Sequence, residues 1–219
     1  MRSIVVLNPK GGCGKSTLVT NLAGYYAERG KAVAIADLDP QGSSLDWLAA
    51  RPPERPPIHG IAGWKEPVRP PRDTEVLVID TPAGVHDARH LGELLKRAQS
   101  VLIPMLPSAI DMRAATRFVV ELMELRRVVN QEVRLATVAN RVRDHTLAAQ
   151  DLAEFMATLK LPDGHRLPCL TVLRASQTYV HAAEKGLSIF EFARSATLPD
   201  REQWAPLLRW LNSARSQPG

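Results

Sequence analysis

The sequence predicts an α/β protein: a three-layer, doubly wound, mostly parallel sheet flanked by helices. Three observations carry that expectation. Short apolar runs alternate with amphipathic stretches of helical length. The runs lack polar alternation, which marks strands covered on both faces. A glycine-rich segment joins the first run to the first helical stretch, and further polar motifs follow the later runs. Those positions are the carboxyl ends of the strands, where open α/β sheets bind ligands.

The elements follow in order. Residues 4–7 are the first strand, and 15–29 a helix that Gly30 would close. Residues 32–36 are the second strand, running into Asp37-Leu38-Asp39-Pro40-Gln41-Gly42. The stretch 51–72 breaks the pattern. It holds seven of the 17 prolines together with Arg51, Arg55, Lys65, Arg69 and Arg72, and reads as an extended surface loop. Residues 76–79 are the third strand, ending at Asp80-Thr81-Pro82-Ala83-Gly84, and 101–103 the fourth, ending at Pro104. Residues 135–139 are the fifth, ending at Asn140-Arg141, and 170–173 a sixth. Helical patterns cover 111–129, 146–160 and 199–213. The last places Trp204, Leu207, Leu208 and Leu211 on one stripe, with Pro206 in its first turn. We expect a single domain over 1–219.

Composition narrows the function classes. No apolar stretch is long enough to cross a bilayer, and the N-terminus does not read as a signal peptide, so a cytoplasmic location is expected. The two cysteines, Cys13 and Cys169, form no C-x-x-C pair, which argues against iron–sulfur, zinc and redox roles. His86 and His90 stand four apart without a third ligand nearby and read as a solvated helix start. The net charge of +5 suits a polyanionic partner such as DNA.

The segment Asn8-Pro9-Lys10-Gly11-Gly12-Cys13-Gly14-Lys15-Ser16-Thr17 carries the chemistry. Gly11, Gly12 and Gly14 let backbone N–H groups turn in around phosphate oxygens, and the following helix points its positive end at them. Lys15 would reach the β- and γ-phosphates of a nucleotide, and the Ser16 hydroxyl would ligate Mg²⁺. Pro9 stands where the usual motif has its first glycine, so the loop fits K-G-G-x-G-K-[ST]-[ST] instead. Asp37 and Asp39 leave the second strand two residues apart, facing one side if its geometry persists. An Asn after a strand can pair with an adenine edge through its amide.

This loop resembles the deviant Walker A loop of the ParA/MinD family of P-loop ATPases. The resemblance extends to the segments 37–42 and 80–84, and more weakly to the end of the chain. It implies that Lys10 crosses a homodimer interface to the partner's ATP, and that Asp39 positions the attacking water. Asp37 supports the Mg²⁺ shell and Asp80 holds the metal through water. Cys13 and Thr17 complete the nucleotide loop, and Asn140-Arg141 sits at the base. The end of the chain, 170–195, is similar to small ParA proteins of the ParF type, whose basic residues grip DNA without sequence preference. Arg174, Lys185 and Arg194 are the matching candidates, with Arg143 and Arg201 secondary. The resemblance implies a nucleoid-associated ATPase stimulated by a small adaptor protein, positioning a plasmid, a chromosome region or a protein assembly. No helix-turn-helix segment stands before Asn8, so operator binding is not expected. Two other readings stay open: a MinD-like ATPase whose segment 199–213 binds membrane, and a metabolic ligase of the same fold. Docking of 199–213 on the protein's own core is preferred to membrane binding.

Overall fold

The structure, a computed structural model, describes residues 1–84, 87–128, 133–160, 164 and 166–218. In chain order the elements are β1 (Arg2–Val6), α1 (Lys15–Ala27), β2 (Val33–Asp37), α2 (Ser43–Ala49), β3 (Ile58–Ala62), β4 (Val76–Asp80), α3 (Ala88–Arg97), β5 (Ser100–Met105), α4 (Ala109–Val128), β6 (Arg134–Val142), α5 (Leu147–Thr158), β7 (Cys169–Arg174), α6 (Gln177–Ala183) and α7 (Arg194–Leu211). The expected alternation of strands and helices is present. The chain forms two compact units. The first comprises Met1–Val6, Lys15–Pro82 and Ser176–Glu202; the second comprises Leu7–Gly14, Ala83–Ala175 and Gln203–Gly219.

In the first unit four strands lie in the order β3-β2-β4-β1, all parallel. Every residue of β2 and β4 is buried, as expected for strands covered on both faces. Ile4, Leu18, Leu22, Ile35 and Ile79 are fully enclosed and form the centre of this core. The register sets Asp37 directly beside Asp80, so two acids that are far apart in sequence leave the sheet as neighbours. Helix α1 ends at Ala27, and Gly30 takes φ 73 just beyond it, closing the helix as expected.

The stretch 51–72 is not a plain loop. It contains β3, which pairs with β2 from Val33↔Ile58 to Asp37↔Ala62. Its prolines flank the strand without interrupting it, and β3 is outermost in this unit's order, where neighbouring prolines are tolerated. The start of the stretch is tied down by Arg51. Its guanidinium donates to the carbonyls of Pro56 and Gly186 and pairs with the buried Glu191 carboxylate.

In the second unit β5, β6 and β7 are parallel and lie in that order. Pro104, expected to end its strand, lies inside β5 opposite Val138, and its carbonyl accepts a hydrogen bond from Asn8 Nδ2 at 2.6 Å. Strand β6 runs past its expected end through Asn140 and Arg141 to Val142. Its pairing with β7 shifts between Ala139 and Val142, and Arg141 takes φ 54. Such an irregularity re-aims side chains near a strand end.

Helix α7 starts at Arg194, earlier than the pattern suggested, so Pro206 lies inside it and not in its first turn. The ring removes the N–H that would bond the Glu202 carbonyl. Trp204, Leu207, Leu208 and Leu211 are all buried, so the stripe is docked on the protein's own core. The Thr171 hydroxyl donates to the Gln203 carbonyl, and the Gln203 side chain accepts from the Arg174 N–H. Among the described residues, no helix is long and apolar enough to cross a membrane.

Candidate functional site

The second unit contains the loop up to Gly14. Asn8 organises its start: Nδ2 donates to Pro104, and Oδ1 accepts from the Lys10 N–H at 2.9 Å. The Gly84 N–H donates to the Pro9 carbonyl at 2.7 Å, which ties the loop to the segment after β4. Gly12 and Gly14 have φ 74 and 91, values that an L side chain rarely adopts. A Cβ on Gly14 would also lie 2.2 Å from Asn140 Nδ2. That nitrogen donates to the Cys13 carbonyl at 2.8 Å, and Arg141 donates to the Gly12 carbonyl at 3.1 Å. Asn140 and Arg141 are therefore brought to the phosphate loop, and both brace its backbone. Cys13 is buried, its thiol donating to the Lys10 carbonyl.

The two lysines have opposite settings. Lys15, first residue of α1, is only 7% exposed. The Lys10 side chain is 43% exposed, and its Nζ lies 3.4 Å from Asp111 Oδ1 on α4. Asp111 had no signal of its own in the sequence beyond its place in the first turn of a helix.

The first unit holds the carboxylates. Asp37 is fully enclosed, and its oxygens accept the N–H groups of Asp39 at 3.0 Å and Ser44 at 2.9 Å. Burial raises its pKa above the usual carboxylate value, and those backbone bonds oppose the rise. Asp80 is 1% exposed, and its Oδ2 accepts the Ser44 hydroxyl at 2.5 Å. Burial pushes its pKa up to about 6, against hydrogen bonds from Ser44 and Ser16. Its other oxygen, Oδ1, is buried with no hydrogen-bond partner. A buried anionic oxygen of this kind calls for a cation or a cation-bound water. The residues therefore fit a hard divalent ion, with Ser16 and Asp80 as donors and Asp37 securing the helix start behind them. Ser44 links the two acids. Ser44 is the second residue of α2, after Gly42 and Ser43, and nothing in its local sequence marks it as the link between the two acids. Asp39 is partly exposed in the turn after β2, where its Oδ1 accepts the Gln41 N–H at 2.9 Å.

The basic candidates differ in setting. Lys185 and Arg194 are exposed, Lys185 with its Nζ 5.4 Å from the Phe192 ring centre. Arg174 ends β7 and is half-buried. Arg201 is committed to structure, since its guanidinium donates to Ile189, Phe192 and Thr197. His90 pairs with Asp87 at 2.8 Å on the surface, while His86 lies outside the described residues.

Comparison with known proteins agrees with this geometry. Residues 4–189 match the profile described as the CobQ/CobB/MinD/ParA nucleotide binding domain. The chain is 28% identical over 206 residues to the maintenance of carboxysome distribution protein A of Halothiobacillus neapolitanus, covering 90% of this chain and 91% of that relative. A Cyanothece McdA–ATP complex superposes with TM-score 0.67 at 14% identity, covering 94% of this chain and 96% of that one. Cobyrinic acid a,c-diamide synthase from Mycobacterium smegmatis, with bound ADP and magnesium, superposes with TM-score 0.65 at 21% identity, covering 100% and 98%. At these identities the two structures establish a shared fold.

Proposed function

The chain belongs to the CobQ/CobB/MinD/ParA nucleotide-binding family, and on that premise we propose that it is a Mg²⁺-dependent ATPase whose ATP-bound homodimer binds DNA without sequence preference and positions a cargo. The observation that carries the reading is the contrast between the lysines. A loop that only holds its own nucleotide uses one enclosed lysine, and Lys15 is enclosed. Lys10 stands on the same loop with its side chain half-exposed and paired with the partly buried Asp111. On this reading it exchanges Asp111 for the phosphates of a nucleotide in a second copy.

Each group takes a role on this reading. Loop N–H groups and the start of α1 bind the phosphates, with Lys15 on the β- and γ-oxygens. Ser16 and Asp80 would hold Mg²⁺, and Asp37 would support that shell by fixing Ser44. Bound there, the ion would neutralise charge that builds on the phosphate oxygens. Asp39 orients water for attack on the γ-phosphorus; the bond to the bridging oxygen breaks, and ADP and phosphate leave. Asn140 and Arg141 brace the loop beside the base. Arg174, Lys185 and Arg194 contact DNA phosphates, which makes binding salt-sensitive. We place the protein in the cytoplasm on the nucleoid, released from DNA when a small adaptor stimulates hydrolysis. The likeness to a carboxysome-distribution protein over nearly its whole length supports a positioning role.

The test is Lys10→Ala, followed by light scattering after size exclusion with ATP and Mg²⁺. The variant is expected to bind ATP and remain monomeric. A variant that dimerises like the wild type removes the reading.

A further inference from the structure

The turn that carries Asp39 is clamped from outside by the segment after β3. Within the turn, the Gly42 N–H donates to the Asp39 carbonyl at 2.9 Å, and Gln41 N–H to Asp39 Oδ1 at 2.9 Å. These bonds give the turn its shape but attach it to nothing else. Its entry is fixed by the Leu38 N–H, which donates to the Asp80 carbonyl at 2.9 Å, and by the Asp39 N–H, which donates to Asp37 Oδ1 at 3.0 Å; residues 63 and 64 hold it from outside. The Gly63 N–H donates to the Asp37 carbonyl at 2.8 Å. The backbones approach so closely there that a Cβ on Gly63 would lie 2.4 Å from Leu38 Cδ2 and 3.2 Å from the Asp37 carbonyl oxygen. The Trp64 indole then lies over Gly42: a Cβ built on Gly42 would sit 3.3 Å from Trp64 Cη2 and 3.8 Å from Cζ2. Gly42 takes φ 67 and directly precedes α2, whose Ser44 bonds both Asp37 and Asp80. The indole therefore covers the hinge between the Asp39 turn and the helix that ties the two buried acids. Lys65 Nζ lies 5.5 Å from the Trp64 ring centre.

We infer that Trp64 is a positioning residue for Asp39, holding the turn at the geometry that hydrolysis requires. The inference rests on the role proposed above for Asp39. The far side of the turn, from Pro40 to Gly42, bonds within the turn and to α2, and can swing about its anchored entry. A large flat ring against its one side-chain-free residue limits that swing, and does so by dispersion and exclusion of water. A water-orienting group displaced by about 1 Å can lose on the order of a hundredfold in rate while substrate binding is kept. The ring touches no reacting atom, so its loss acts on kcat and not on the affinity for ATP. The surrounding segment is basic and exposed at Lys65, Arg69 and Arg72. An event on that surface would reach Asp39 through the indole.

The experiment compares wild type, Trp64→Ala, Trp64→Phe and Asp39→Ala in steady-state ATPase assays. Trp64→Ala is expected to lower kcat about tenfold or more with KM for ATP within about twofold, and Trp64→Phe to restore most of the loss. Subtracting the emission of Trp64→Phe from that of the wild type isolates Trp64, and that difference is expected to change between the ADP and ATP states. Normal kcat in Trp64→Ala overturns the inference, as does a loss confined to KM. Equal Trp64 emission in the two nucleotide states also overturns it, and needs no alanine variant to fold. If wild type turns over ATP and Asp39→Ala does not, those failures concern Trp64 alone. A wild type without ATPase activity, or full turnover in Asp39→Ala, brings down the Asp39 reading and this inference with it.

Discussion

Replacing Asp80 by asparagine should destroy turnover and yet stabilise the nucleotide-free protein. The carboxyl titrates near 6 in the folded chain instead of at 3.8, with burial as the main cause. At neutral pH it is ionised, and keeping it so in the fold costs about 3 kcal/mol at 1.36 kcal/mol per decade of proton affinity. An amide carries no charge and escapes that cost. Its oxygen can accept the Ser44 hydroxyl, as Oδ2 does now. Its NH₂ would fall at the position of Oδ1, which has no partner, and an unsatisfied buried donor costs about 1–3 kcal/mol. The net gain for Asp80→Asn near pH 7.5 is therefore about 1 kcal/mol, with an upper bound of about 2. The pH dependence is the sharper signature. Because the folded carboxyl binds its proton more tightly than the unfolded one, folding takes up a proton between about pH 6 and pH 4. Wild-type stability should gain from this group as pH falls through that window, with roughly half of the cost relieved by about pH 5. Asp80→Asn lacks that gain. Urea unfolding of both proteins without nucleotide, at about pH 7.5 and about pH 5, measures the difference. An asparagine variant that is less stable at neutral pH, or whose difference from wild type is independent of pH, would refute the buried-charge account of the metal site. Mg²⁺·ATP should then stabilise wild type more than the variant, which keeps the loop and Lys15 but loses a metal ligand.

Other outcomes follow from the same geometry. Arg51→Ala leaves the enclosed Glu191 carboxylate without its cation and should cost about 3–5 kcal/mol in urea unfolding. Burial pushes the Glu191 pKa up, but hydrogen bonds from Arg51 and Ser188 outweigh it and hold the carboxyl below its usual 4.5, so that loss should shrink as pH falls below 4.5. Gly14→Ala meets both a positive φ and Asn140 Nδ2, and should abolish ATP binding measured by calorimetry. Arg174→Glu should weaken DNA binding and flatten its salt dependence without changing ATP-dependent dimerisation, as read by anisotropy on random duplexes.

Much of the site was legible because its signals are local. Three glycines before Lys15-Ser16-Thr17, a strand ahead and a helix behind describe a phosphate loop within ten residues. The acids at 37 and 80 were legible because each closes an apolar run. What stayed hidden depends on pairing. Strand β3 went unseen because prolines on both sides masked a short edge strand with two exposed residues. Asn140 looked like a strand-end base contact, and only the shifted β6–β7 register and the bond to Cys13 show it bracing the loop. The first-turn reading of Pro206 failed because α7 begins at Arg194, several residues before the apolar stripe.

The sequence alone supplied the groups on which the proposed chemistry rests: two lysines on one glycine loop, a serine after the second of them, and acids at strand ends. Those are consequences of residue type and spacing, which the chain contains wherever it folds. Tertiary structure decided what each group feels. Parallel pairing of β2 with β4 puts Asp37 beside Asp80. Burial then raises both pKa values, and leaves one Asp80 oxygen unsatisfied. The fold encloses Lys15 and leaves Lys10 half-exposed on Asp111. Desolvation and long-range contact set these properties, and neither is a function of spacing along the chain.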